Sequence, residues 1–231
     1  MKRFISAIIA IILSFIFITN CSQTAGTTEP QDTTPPAAPI ITGTTPINTL
    51  NPTWTWDISS DVAKVYYQLD STSDNGWKVI TDMDLKTHSE TVTADDTYVL
   101  YVKSQDAAGN YSTISSFAIT VDRAGVTASI TSSETTITND SPFIVTVTFN
   151  EDVTGFTVDD LRLVNATASN FTAISTKIFT IAITPTADGD LSVDIPADKL
   201  TDLAGNSNSA SNVFTITYDG TPPTVDVTTD V

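Results

Sequence analysis

Apolar and polar residues alternate at every second position through most of this chain. In Thr53 to Asp57, Trp54 and Trp56 share one face while Thr53, Thr55 and Asp57 take the other. Val65, Tyr67 and Leu69 oppose Tyr66, Gln68 and Asp70; Tyr98, Leu100 and Val102 oppose Val99, Tyr101 and Lys103; and Phe117, Ile119 and Val121 fall together. Phe143, Val145, Val147 and Phe149 alternate with Ile144, Thr146 and Thr148, and the same beat returns at Phe179 to Ile183, Leu191 to Ile195 and Val213 to Tyr218. Successive side chains on a strand point to opposite faces, so a period of two with one apolar face predicts half-buried antiparallel strands. Turn residues such as Ser73-Asp74-Asn75-Gly76 punctuate them. No segment carries the period of a helix.

A five-residue pattern, Asp-x-Ala-Gly-Asn, occurs at Asp106 to Asn110 and again at Asp202 to Asn206, 96 residues later. Each copy is followed by a polar run, a strand-like stretch and a closing aspartate, Asp122 or Asp219. A repeat of that period means tandem modules. Glycine takes positive φ at little cost, asparagine tolerates it, and an aspartate accepts hydrogen bonds from the N–H groups of its own turn. The pattern therefore predicts a tight connection between late strands. Asp-x-Thr-Pro-Pro also recurs, at Asp32 to Pro36 and Asp219 to Pro223, and marks boundaries because paired prolines hold the chain extended. The modules so delimited are 39–122 and 123–219, with 220–231 a linker and the start of a further strand. Seven or so short strands in the first module predict a Greek-key sandwich, and the chain as a whole reads as all-β.

Thr53-Trp54-Thr55-Trp56, Tyr67 to Asp70, and Tyr98 through Asn110 resemble the bacterial Ig-like (Big) repeats of large surface proteins. Phe149 to Phe156, Val158-Asp159-Asp160-Leu161 and Asp202 to Asn206 resemble a second Ig-like subfamily, found in tandem in biofilm-associated and adhesin-like proteins. The resemblance implies two tandem Ig-like β-sandwiches with an adhesive or spacer role at a bacterial surface. Asp95-Asp96-Thr97-Tyr98 has the look of a tyrosine corner, with Tyr98 entering the penultimate strand.

Charge narrows the partners. Ten basic and 27 acidic residues give a net charge of −17, which repels phosphate backbones and anionic headgroups, so nucleic acid is excluded and membrane contact has to be covalent. The start of the chain offers that route. Lys2 and Arg3 precede an uncharged, mostly apolar run, Phe4 to Thr19, that ends at Cys21, the one cysteine. The run is shorter than the ~20 residues of a membrane span and suits a signal peptide. Ile18-Thr19-Asn20-Cys21 resembles a bacterial lipobox, with Asn20 where a small residue is usual, as in the looser lipoboxes of spirochaetes. That implies a signal peptide over 1–20, lipid on Cys21 and a place in the cell envelope. Ser22 and Gln23, with no aspartate after the cysteine, indicate the outer membrane by resemblance to enteric sorting. The alternatives are an uncleaved anchor, or secretion with an incidental cysteine. Residues 21–38, rich in Thr, Pro and Gln, read as the lipidated cysteine and a disordered, flexible tether. A lipidated Cys21 leaves the folded part without a thiol, so burial has to stabilise it without disulfides.

Two groups of side chains carry candidate chemistry. Asp106, Asp122, Asp202 and Asp219 stand at module ends, and Glu151, Asp152, Asp159 and Asp160, with Asp188 and Asp190, stand in loops of the second module. Calcium takes six to eight oxygens, which clustered carboxylates and loop carbonyls supply, although the spacing matches no EF-hand. Solvated carboxylates are the ordinary alternative in so acidic a chain. In the first module Trp54, Trp56, Tyr67 and Tyr98 share faces with aliphatic residues and read as core. Tyr66 and Tyr101, with Gln68 and Lys103, fall on the opposite faces of neighbouring strands and form a candidate ligand patch for a host matrix component, a glycan or a cell-surface protein. Catalysis has little to work with: His88 is the single histidine, in a polar run that reads as solvent-facing, and neither a Ser-His nor a Cys-His pair is available. The chain thus reads as a non-catalytic envelope lipoprotein. Accessory modules of a longer secreted enzyme, and a calcium-stiffened stalk without a ligand of its own, are the rival readings.

Overall fold

The computed structural model describes residues 30–227. The leader, Cys21 and the first part of the tether lie outside the described residues.

The first module is built from β1 (Ile40–Gly43), β2 (Thr53–Asp57), β3 (Val62–Leu69), β4 (Lys78–Ile80), β5 (Thr87–Ser89), β6 (Thr97–Asp106) and β7 (Ser115–Thr120). They form two antiparallel sheets, β1-β2-β5 and β4-β3-β6-β7. The alternation read from the sequence sets the faces: Trp54, Trp56, Val65, Leu100, Val102 and Ile119 are buried between the sheets. Trp54 has no exposed surface, and its indole N–H, which would be costly to bury unpaired, donates to the Phe117 carbonyl at 2.9 Å. Tyr98 donates its hydroxyl to the carbonyl of Ala94, four residues upstream, at 3.0 Å, the geometry of a tyrosine corner. Ahead of β1, Pro36 and Pro39 are buried and the Ala37 carbonyl accepts from Ser104 Oγ at 3.1 Å. Composition assigns Pro36 and Ala37 to the tether, yet they pack on the module.

The second module comprises β8 (Ala128–Ser132), β9 (Ile137–Thr138), β10 (Phe143–Phe149), β11 (Val153–Thr154), β12 (Arg162–Val164), β13 (Ala166–Ala173), β14 (Ile178–Pro185), β15 (Gly189–Asp194), β16 (Thr201–Asp202) and β17 (Phe214–Tyr218). One sheet runs β13-β14-β10-β8, the facing one β12-β15-β17-β9, and β11 pairs with β16. The β9–β17 pairing is parallel; the others are antiparallel. A 3-10 turn at Val158–Asp160 is the one helical element among the described residues. Between the sheets, Phe149, Phe156 and Phe179 stack edge to face with centroids 5.0–5.8 Å apart, the separation at which aromatic quadrupoles attract. They pack with Val145, Val147, Ile181, Ile183, Leu191 and Val193.

Candidate functional site

The two Asp-x-Ala-Gly-Asn segments form the same hairpin, atom for atom over its main bonds. The Asp106 and Asp202 N–H groups donate to the carbonyls of Asn110 and Asn206, each at 3.1 Å. Returning bonds run from the Asn110 N–H to Asp106 Oδ1 at 2.8 Å and from the Asn206 N–H to Asp202 Oδ1 at 2.9 Å. Both asparagine amides close the ring by donating to the second carboxylate oxygen at 2.8 Å. Gly109 and Gly205 take φ of 98° and 92°, where a Cβ would be strained. Asn110 and Asn206 are not among the positive-φ residues; their amides are bound to the aspartates. Desolvation works to raise the pKa of Asp106, but the side chain and backbone of Asn110 and the N–H groups of Gly109 and Ala108 outweigh it, so the carboxyl lies below its ordinary value.

At the end of the second module the fold sorts the acidic residues. Carboxylate oxygens of Asp122, Glu151 and Asp202 lie within 4.8 Å of one another. They line a groove of about 340 Å³ with Asp152, Lys177, Leu203, Ala204, Pro46 and Thr120. Burial, then the charges of Asp122 and Asp202, push the Glu151 carboxyl up, against the opposing pull of the Asn150 amide and Lys177. The other acidic candidates are elsewhere. Asp106 belongs to the first module's hairpin. Asp160 accepts from the Thr157 N–H at 2.7 Å at the start of the 3-10 turn, and Asp159 is exposed beside it. Asp219 accepts from the Thr221 N–H at 3.1 Å. Asp188 receives the Gly220 N–H and Asp190 the Thr217 hydroxyl.

On the outer face of β4-β3-β6-β7 the register pairs Tyr66 with Lys103 and Gln68 with Tyr101, so the four candidate ligand residues share one face. Their roles diverge. Gln68 turns away, donating to the Asn75 carbonyl at 3.1 Å and bracing its own turn. Two rings that the alternation did not assign join the others instead. The Lys103 ammonium sits 4.3 Å from the centroid of Trp77, 5.0 Å from Tyr111 and 5.9 Å from Tyr66. Tyr66 donates its hydroxyl to Gln105 at 3.1 Å, and Gln105 donates to the Gly109 carbonyl, also at 3.1 Å, which ties the patch to the first hairpin. Tyr111 directly follows that hairpin, a position held by Ser207 in the second copy.

His88 departs from the sequence reading. Its strand partner is Trp54, and paired residues point to the same face, so the imidazole turns inward and packs 4.4 Å from the Tyr67 ring. Nε2 lies 3.1 Å from Glu90. Desolvation lowers the pKa of His88, and the hydrogen bond to Glu90 only partly offsets it.

Residues 122–218 match the bacterial Ig-like domain family. Chitinase A1 of Niallia circulans is 29% identical over 202 residues, which is 84% of this chain and 27% of the chitinase, so the chain spans about a quarter of that relative's length. Among solved structures, the fibronectin(III)-like modules of Clostridium thermocellum CbhA align over 78% of this chain and 93% of theirs at 12% identity, with a TM-score of 0.37. Invasin, a bacterial integrin-binding protein, aligns over 78% of this chain and 38% of its own at 11% identity, with a TM-score of 0.32. The assignment of both modules as β-sandwiches rests on the strand pairing described above.

Proposed function

Taking residues 122–218 as a bacterial Ig-like domain, we propose that this chain is a non-catalytic envelope protein, anchored by lipid on Cys21 at the cell surface or outer membrane, whose sandwiches hold a binding face away from the membrane. The observation that carries the reading is the junction between the modules. The Asp122 N–H donates to the Ile47 carbonyl at 2.9 Å in the first module, and its own carbonyl accepts from Asn206 Nδ2 at 2.8 Å in the second. Arg123 pairs with Asp95 at 2.6 Å, and Val126, buried in the second core, accepts the Ser209 N–H at 2.9 Å. A connection this short, bonded on both sides, transmits orientation instead of absorbing it, in contrast to the flexible linkers that leave domains free to move. That is what a spacer requires. The chitinase relative favours the rival in which such modules are accessory parts of a longer secreted enzyme; continuation of the reading frame into a catalytic domain would decide for it.

Spin labels on the lipidated chain at Thr72→Cys and Ser133→Cys, both exposed positions, test the junction by pulsed dipolar spectroscopy. A single narrow distance supports the spacer, and a broad distribution overturns it. Palmitate labelling that persists in Cys21→Ala overturns the anchor.

A second reading, calcium at this junction, is favoured by the convergence of Asp122, Glu151 and Asp202. Asp122 Oδ1 accepts from the Ala124 N–H and Glu151 Oε1 from the Asn150 amide, and Asp202 Oδ2 keeps a lone pair beyond the Asn206 amide, so the trio fits an oxygen-seeking cation, with loop carbonyls and water completing the six to eight ligands. Saturating calcium at 100 times Kd would add about 2.7 kcal/mol. Equal melting of the full chain in calcium and in chelator overturns this reading. Glu151→Gln should abolish the calcium shift while slightly stabilising the chelated protein, because a raised carboxyl pKa costs stability once pH exceeds it.

A further inference from the structure

We infer that the outer face of β4-β3-β6-β7 in the first module is a binding platform for an acidic polysaccharide, centred on Lys103 within the rings of Trp77, Tyr66 and Tyr111. The inference deepens the surface role proposed above by naming what the binding face holds. Three observations converge on it.

The first is charge. In a chain with 27 acidic residues and a net charge of −17, the outward strand positions of this face are Val79, Lys64, Tyr66, Gln68, Thr97, Val99, Tyr101, Lys103, Gln105, Ser116, Ala118 and Thr120, none of them a carboxylate; the nearest acid of the row, Asp70, lies just past β3 and accepts the Val99 N–H at 2.6 Å. Lys64 and Lys103, like Lys78, Lys177 and Lys199, are in no ion pair among the described residues, so their charges are open to an anion. The face carries two lysines and few acids in a strongly acidic chain, so an anionic ligand meets less repulsion here than over the acidic loops.

The second is the set of rings. Tyr66, Trp77 and Tyr101 are half-buried and Tyr111 is 47% exposed. Flat ring faces and edges on a pleated surface complement the apolar C–H faces of pyranoses, while a carboxylate on the same sugar reaches the ammonium that the rings surround. An ammonium held over three rings is already partly desolvated and positioned, so an arriving anion finds a charge whose ordering cost has been met. A neutral glycan would use the rings and leave the two lysines idle.

The third is rigidity. Tyr66 is bonded to Gln105, Gln105 to Gly109, and Tyr111 emerges from the ring-closed hairpin at 106–110. The platform is thus fixed to a turn closed by its own side-chain and backbone bonds. The second module, with Ser207 at the corresponding position and no tryptophan, has no such platform.

Native affinity electrophoresis of the full chain in detergent tests the inference, in gels cast with polygalacturonate, hyaluronate, or the neutral cellulose derivative hydroxyethylcellulose. The expected result is retardation in at least one acidic gel, none in the neutral gel, and relief by salt as screening requires. Trp77→Ala and Lys103→Gln should each weaken retardation about tenfold, the loss typical of a central contact residue, with far-UV circular dichroism unchanged. Several results would overturn the inference: migration unaffected by either acidic glycan, retardation that survives both substitutions, or retardation in the neutral gel that Lys103→Gln leaves intact. None of these bears on the stiffness of the junction or on lipid labelling, so the spacer reading stands or falls separately.

Discussion

Replacing Asp202 with alanine should destabilise the second module and leave the first standing. The Asp202 side chain is 3% exposed and accepts three bonds: from the Gly205 N–H at 2.7 Å, the Asn206 N–H at 2.9 Å and Asn206 Nδ2 at 2.8 Å. Hydrogen bonds to a charged group contribute about 1.5–3 kcal/mol each, but three that share one carboxylate are not additive. Gly205 is exposed and Asn206 half-buried, so water takes over part of the lost bonding, and the Asn206 amide keeps the Asp122 carbonyl. A net loss of about 3 kcal/mol is the reasonable total, equivalent to a fall in Tm of roughly 12–24 °C for a domain of this size. The modules can be followed separately because all three tryptophans, Trp54, Trp56 and Trp77, lie in the first. In chelator, the melt of the full chain followed by circular dichroism should lose its second-module component early, while tryptophan emission keeps the wild-type transition. A change below about 4 °C would mean that the hairpin bonds are replaced by water at no cost, and the structural account of the motif would be wrong. A fall seen by tryptophan emission alone would be equally damaging.

Other substitutions probe the remaining claims. The Asp106 carboxyl lies below its ordinary pKa, so its contribution is present above the unfolded value and lost as pH falls through the folded one; Asp106→Asn should flatten the acid limb of first-module stability in urea unfolding followed by tryptophan emission, and an unchanged limb would refute the assignment. Tyr98→Phe removes the bond to Ala94 and should cost about 0.5–1.5 kcal/mol in the same assay; no measurable loss would make the corner ornamental. Phe156→Ala opens the cluster with Phe149, Phe171 and Phe179 and should cost about 3–5 kcal/mol by calorimetry, whereas a loss under 1 kcal/mol would imply that the second core collapses freely around the gap.

Short-range chemistry was legible in the chain. Alternation placed Trp54, Val65, Leu100, Val147 and Ile181 in the cores, because the strand period is a local property that holds wherever one face is buried. The Asp-x-Ala-Gly-Asn turn was legible for the same reason: donors and acceptors lie within five residues. The glycines take the positive φ that the pattern predicts, while the bonds of the asparagine amides to the aspartates are visible only in the folded turn. The edge strand β13 escaped because Ala166 to Ala173 is rich in small and polar residues with weak strand propensity; it exists because β14 offers it a ladder, bulge included.

What the sequence by itself determined, then, was the strands with a clear apolar face, the Asp-x-Ala-Gly-Asn hairpins, the tandem period and the sign of the surface. Only the tertiary structure decided which distant residues meet. It drew Asp122, Glu151 and Asp202 together while sending Asp106, Asp159, Asp160 and Asp219 elsewhere, turned His88 inward through its register with Trp54, and set Trp77 and Tyr111 around Lys103. The physical reason is that a strand's pattern fixes which face a side chain takes, whereas its neighbours across the sheet depend on register and loop path, which are settled by the packing of the whole module.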